Sequence, residues 1–120
     1  MGLPPDGSVD SAPARIEASE LVARLRAGDP LLLVCAYDSP VAWSKFALAG
    51  ALPLPALADR LDGLEEDLVV FYCRCPSDRT ADRTARRFQA STGLQARVLA
   101  GGYEAAVTAG LRPLPRRRAP

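Results

Sequence analysis

Apolar positions along the chain follow two rhythms. Leu21, Val22 and Leu25 recur at helical spacing within Ala18 to Ala27, and Gly28, Asp29 and Pro30 stop that run, so the pattern predicts a first helix there. Leu31 to Ala36 is apolar on both parities, the mark of a strand covered on both faces by helices. Past the turn at Asp38, Ser39 and Pro40, a weak helical segment reaches Leu48, Gly50 permits a bend, and Ala56 to Leu64 reads as a short helix. Leu68 to Cys73 predicts a second strand, rich in residues that favour extended structure. Thr80 to Thr92 is the best helix, with Ala81, Ala85 and Phe88 on one face and Gly93 as its stop. Ala96 to Ala100 is a third strand, Gly101 and Gly102 a turn, and Tyr103 to Ala109 a last short helix ended by Gly110. Strands alternating with helices predict βαβ units and an α/β fold with a mostly parallel sheet. In such sheets ligands bind beyond the carboxyl ends of the strands, where Cys35 and Cys73 both fall.

Pro4, Pro5 and Pro13 crowd one end of the 120 residues, and Pro113, Pro115 and Pro120 the other. The folded unit is therefore expected over 15–114, between a flexible tail over 1–14 and a basic Pro/Arg tail over 115–120. A hydrophobic share of 48% with 24% charged residues is that of a globular domain, and a net charge of +1 gives no pull toward nucleic acid or membrane. Arg112, Arg116, Arg117 and Arg118 form the one basic cluster, read as a solvated tail. Pro53 and Pro55 break the longest apolar stretch, and no cationic segment followed by an apolar run opens the chain, so a cytoplasmic location is expected.

Three cysteines suit reactive thiols better than disulfide staples, since two of them stand one residue apart. Histidine is absent, which excludes Ser-His-Asp and Cys-His catalysis and His-ligated zinc hydrolases. A nucleophile here must be activated by backbone amides, a helix terminus or arginine.

The segment Cys73-Arg74-Cys75-Pro76-Ser77-Asp78-Arg79-Thr80 puts a thiol between a strand and a helix start. Unpartnered amides and the helix dipole favour an anion there. A thiolate at Cys73 is thus expected to titrate at least ~1 unit below the ordinary value of about 8.5, helped by Arg74 and Arg79. Asp78 opposes this, so it is expected to point away or to pair with Arg79 or Arg83. Cys75 could be a redox partner, a metal ligand or a loop filler; with no histidine a zinc site lacks a ligand, and no metal is expected. Cys35 is either a core residue or a resolving partner for Cys73.

Taken in order, Ile16 with Glu20 and Leu21, Leu33 to Asp38, Gly50 to Pro55, Tyr72 with Cys73, and Gly101 with Gly102 resemble the rhodanese-like sulfurtransferase family. Cys-Ala-Tyr-Asp at 35–38 and Tyr-Cys-x-Cys-Pro at 72–76 resemble a single-domain subgroup of it. The resemblance implies a three-layer fold, a central mostly parallel sheet flanked by helices. It also implies a persulfide carried on Cys73, an anion cradle over 74–79 aided by Arg74 and Arg79, and no cofactor. The implied partners are a small sulfur-containing anion, such as thiosulfate, and a thiol or cyanide acceptor. The family's usual Asp-x-Arg at the end of the strand over Leu31 to Ala36 is Cys35 and Tyr37 here, and Pro76 with the Asp78, Arg79, Thr80 run replaces the usual glycine and serine.

Two other readings stand beside this one. Cys73 to Arg79 also spells C-x5-R, the signature of cysteine phosphatases and some arsenate reductases, where arginine grips a tetrahedral oxyanion. A non-catalytic module, or a thiol sensor working through Cys35, Cys73 and Cys75, is the third.

Overall fold

A computed structural model describes residues 12–64 and 67–114. Among them the chain runs β1 (Ala14–Ile16), α1 (Ala18–Ala27), β2 (Leu31–Cys35), α2 (Pro40–Phe46), β3 (Ala51–Leu52), a 3₁₀ segment (Leu54–Arg60) and β4 (Leu68–Tyr72). A short 3₁₀ turn (Pro76–Asp78), α3 (Arg79–Thr92), β5 (Ala96–Leu99) and α4 (Gly102–Thr108) complete it. The strands form one sheet in the order β1-β5-β4-β2-β3. Every pair is parallel, with β2 and β4 in register from Leu31 opposite Leu68 to Cys35 opposite Tyr72.

The sheet is buried on both faces, which is why β2 and β4 are apolar at consecutive positions. On one side Leu32, Val34, Val69, Phe71 and Val98 pack against Ala81, Ala85 and Phe88 of α3 and Leu57 of the 3₁₀ segment. On the other, Ile16, Leu33, Cys35, Val70, Tyr72 and Leu99 meet Leu21 of α1, Trp43 of α2 and Ala106 of α4. Three layers result, as the resemblance implies. Because β-strand side chains alternate, Cys35 and Cys73 fall in different halves of the core.

Local signals set the helix ends. Gly28 takes a left-handed conformation (φ 77°), and its amide closes the last turn of α1 on Arg24 and Leu25 carbonyls. Ser39 Oγ accepts from the Ala42 amide at 3.2 Å, with Pro40 in the first turn of α2. Buried Gln89 of α3 accepts from the Ala96 amide at 3.0 Å, tying that helix to β5.

The edge strands β1 and β3 differ from the sequence expectation, which contains neither. They span three and two residues, too few for a period to register, and exist through their pairing with β5 and β2. The helix expected over Ala56 to Leu64 is a 3₁₀ segment that begins at Leu54, with Pro55 tolerated in its first turn. Of the expected tails, only 12–14 are among the described residues, and Ala14 already belongs to β1; Arg116, Arg117 and Arg118 lie outside them. No helix among the described residues is long and apolar enough to cross a membrane.

Candidate functional site

The chain leaves β4 at Tyr72 and enters a loop that ends where α3 begins, at the carboxyl edge of the sheet. Ser77 and Asp78 both adopt the left-handed region, at φ 57° and 55°. Two successive non-glycine residues there cost of order 1–3 kcal/mol each. Asp78, only 4% exposed, holds this turn through its side chain. Its carboxylate accepts from Arg15 of edge strand β1 and from the Gly101 amide, the latter at 3.2 Å. Of the two expectations for Asp78, pairing with Arg79 or Arg83 does not occur: its ion-pair partner is Arg15. Both of those arginines are exposed, whereas β1 brings Arg15 to the loop from the far end of the sequence.

The turn aims the first amides of α3 at sulfur. Thr80 N–H donates to Cys75 Sγ and Ala81 N–H to Cys73 Sγ, each at 3.3 Å. The two sulfurs lie 2.7 Å apart in a thiol hydrogen bond. These donors are the first amides of α3, just past the 74–79 stretch expected to cradle an anion, and their effect is divided between two sulfurs. Cys73 is fully buried, and its thiol is pushed up to about 12, first by loss of solvent and then by its bond to Cys75. This reverses the expectation of a Cys73 thiolate. One helix-terminus amide does not compensate for a sulfur sealed among Phe71, Ala81 and Ala85. Cys75 is half-buried and its thiol is lowered. Burial raises it, but the Cys73 thiol, the Thr80 amide and hydroxyl and the Arg79 amide together outweigh that effect. Either sulfur can donate in this contact, and burial favours the protonated form of Cys73.

Cys75 opens into a groove of about 290 Å³ whose other walls are Arg74, Pro76, Gly101 and Glu104. Neither sulfur lines the larger cleft of about 370 Å³ on the α3 side, where Tyr37, Thr80, Arg83 and Arg87 stand. Arg74 is exposed and does not turn into the loop. It pairs with Glu104 at 2.8 Å and lies 5.7 Å above the Phe46 ring. The Tyr37 hydroxyl accepts from the Arg74 amide at 3.0 Å. Cys35 is fully buried on the opposite face of the sheet beside Tyr72, so Cys75 and not Cys35 takes the place of partner to Cys73.

Behind the loop, the Tyr103 amide donates to the Cys73 carbonyl at 2.9 Å. A Cβ at Gly102 (φ +60°) would collide with that same oxygen, so only glycine allows α4 to approach. Sequence reasoning missed Arg15 and Glu104 as parts of the site. Glu104 stands two residues beyond the glycine pair, a signal that could have drawn attention to it, while nothing local marks Arg15. Among the described residues no cluster of three or more candidate metal ligands forms.

No family model matches the sequence and no curated protein does. Solved structures are similar in fold. The BH2092 protein from Bacillus halodurans is 22% identical with a TM-score of 0.66, covering 79% of this chain and 72% of that one. A thiosulfate sulfurtransferase from Pseudomonas aeruginosa is 24% identical with a TM-score of 0.67 over 95% of this chain, which spans only 21% of that enzyme's length. RPA3614 from Rhodopseudomonas palustris, a protein of unknown function described as a possible tyrosine phosphatase, is 16% identical with a TM-score of 0.66, covering 95% and 99%.

Proposed function

We propose that this chain, whose fold is rhodanese-like, works as a sulfurtransferase that takes up sulfane sulfur at the Cys73–Cys75 pair. The observation that carries the reading is Cys75, a partly exposed residue lining the groove whose Sγ receives the Thr80 amide and lies 2.7 Å from the Cys73 sulfur. The resemblance assigns the carrier role to Cys73; burial and hydrogen bonding favour Cys75 as the attacking atom.

The Cys75 thiolate attacks the outer sulfur of thiosulfate, the donor's S–S bond breaks, and sulfite leaves with the electron pair. A Cys75 persulfide remains. An acceptor thiolate or cyanide then takes the outer sulfur and returns Cys75 to its thiolate. Arg74 lines the groove and neutralises Glu104 there, so the groove carries no net repulsion for an anion.

Thiocyanate formation from thiosulfate and cyanide tests the reading. Turnover by the wild type and its loss in Cys75→Ser support it, and absence of thiocyanate with thiosulfate and with polysulfide alike overturns it. Loss in Cys73→Ser with Cys75→Ser still active would return the carrier role to Cys73.

The neighbour described as a possible tyrosine phosphatase favours one rival, since Cys73 and Arg79 keep the C-x5-R spacing. Against it, the loop interior facing α3 is filled by the Cys75 sulfur, so the amides an oxyanion would need are engaged. Hydrolysis of p-nitrophenyl phosphate that disappears in Arg79→Ala would support that rival.

A further inference from the structure

Building on the sulfurtransferase reading, we propose that Cys73 resolves the Cys75 persulfide, so that the loop reduces sulfane sulfur to hydrosulfide and closes as a Cys73–Cys75 disulfide. The geometry is specific to one step. The inner sulfur of a Cys75 persulfide is the same atom that lies 2.7 Å from Cys73 Sγ, whereas a covalent disulfide is about 2.05 Å long. Cys75 is the partly exposed member of the pair and lines the groove, so an external donor loads the outer sulfur there. Attack from Cys73 therefore falls on the inner atom and expels the outer one.

Atoms and electrons balance. The Cys73 sulfur forms a bond to the Cys75 sulfur, the persulfide S–S bond breaks, and the sulfane atom leaves as hydrosulfide with the Cys73 proton. Both cysteines are oxidised by one electron each, and the sulfane sulfur is reduced by two. A second, external dithiol then reopens the loop by thiol–disulfide exchange. The Ala81 amide that faces Cys73 Sγ stabilises the transient thiolate this requires. Burial supports the assignment. Cys73 has no solvent exposure, so bulk acceptors reach Cys75 alone and the neighbouring sulfur remains the one nucleophile always in range. Cys35 does not compete, being on the other face of the sheet.

A single-turnover experiment on the full, reduced chain with thiosulfate and no reductant separates the two halves. Sulfite reports sulfur uptake, and hydrosulfide with loss of free thiols reports resolution. The wild type is expected to release about one sulfite and one hydrosulfide per chain, losing two thiols, and to turn over continuously once a dithiol such as dithiothreitol is added. Cys73→Ala and Cys73→Ser remove a partner of the Cys75 sulfur, so they are expected to release sulfite more slowly but still to about one per chain, which also shows that they are folded. They should retain a persulfide and release at least tenfold less hydrosulfide. A wild-type sulfite burst with a lasting persulfide and no hydrosulfide would overturn the inference and leave sulfur transfer standing, as would equal hydrosulfide from the Cys73 variants. Absence of sulfite from the wild type would remove the sulfurtransferase reading and the inference with it.

Discussion

Arg15 and Asp78 are joined by an ion pair that spans 63 residues of sequence and fastens the left-handed turn of the dithiol loop to the edge strand β1. Asp78 is nearly buried while the Arg15 side chain is half exposed, so solvent screens the pair in part. The same carboxylate also satisfies the Gly101 amide, which couples the loop to the start of α4.

Asp78→Asn keeps an acceptor for Gly101 and a side chain that tolerates left-handed backbone, losing only the charge. It is expected to cost about 1 kcal/mol, and Asp78→Ala about 2–3 kcal/mol, because alanine loses both bonds and is strained at φ 55°. Urea unfolding midpoints rank the two. Arg15→Ala combined with Asp78→Asn should fall short of the sum of the single effects.

Gly102→Ala is expected to be the most damaging small substitution near the site. The added Cβ meets the Cys73 carbonyl at a positive φ, and the backbone shift needed to relieve it opens the bond from Tyr103. A loss of about 3 kcal/mol is expected, read from denaturant unfolding, together with faster alkylation of Cys73 as its cover loosens.

Thiol reactivity should follow the hydrogen bonding. Iodoacetamide is expected to modify only Cys75 in the folded chain, with a rate midpoint below the ordinary thiol value of about 8.5. Cys73→Ala should move that midpoint upward, since the S–H donor that favours the Cys75 thiolate is gone. Cys35 and Cys73 should react only after unfolding.

Alkaline stability follows from the same pair. Cys73 keeps its proton in the fold up to about 12, while the unfolded chain loses it near the ordinary value. The unfolded state therefore binds fewer protons above about pH 8.5, and stability falls as pH rises from there toward 12. Cys75, whose thiol is depressed, contributes the opposite slope below about pH 8.5. Unfolding midpoints measured from pH 7 to 11 in wild type and Cys73→Ala should diverge, with the variant falling less.

Tyr72→Phe tests how α2 is anchored. The Tyr72 hydroxyl donates to the Phe46 carbonyl at 2.6 Å beneath the opposite sheet face. Losing it is expected to cost about 1 kcal/mol with the fold intact, measured as a shift in unfolding midpoint.

Much of the architecture is legible from local pattern. The two-sided apolar runs of β2 and β4, the spacing of Leu21, Val22 and Leu25, and the glycine stops at Gly28 and Gly93 each act within a few residues, so helices, strands and the strand-loop-helix around Cys73 follow from neighbours in sequence. The edge strands do not, because β1 and β3 are extended only by virtue of what they pair with.

The chemistry of the loop was determined differently. Sequence alone placed two thiols, arginines and a helix start together, and that much is a matter of spacing. Which sulfur is sealed and which reaches the groove depends on how α3 covers the sheet. Where Asp78 points depends on an arginine 63 residues away. Desolvation and long-range ion pairs are properties of packed layers, so only the tertiary structure separates a sealed Cys73 from a partly exposed Cys75.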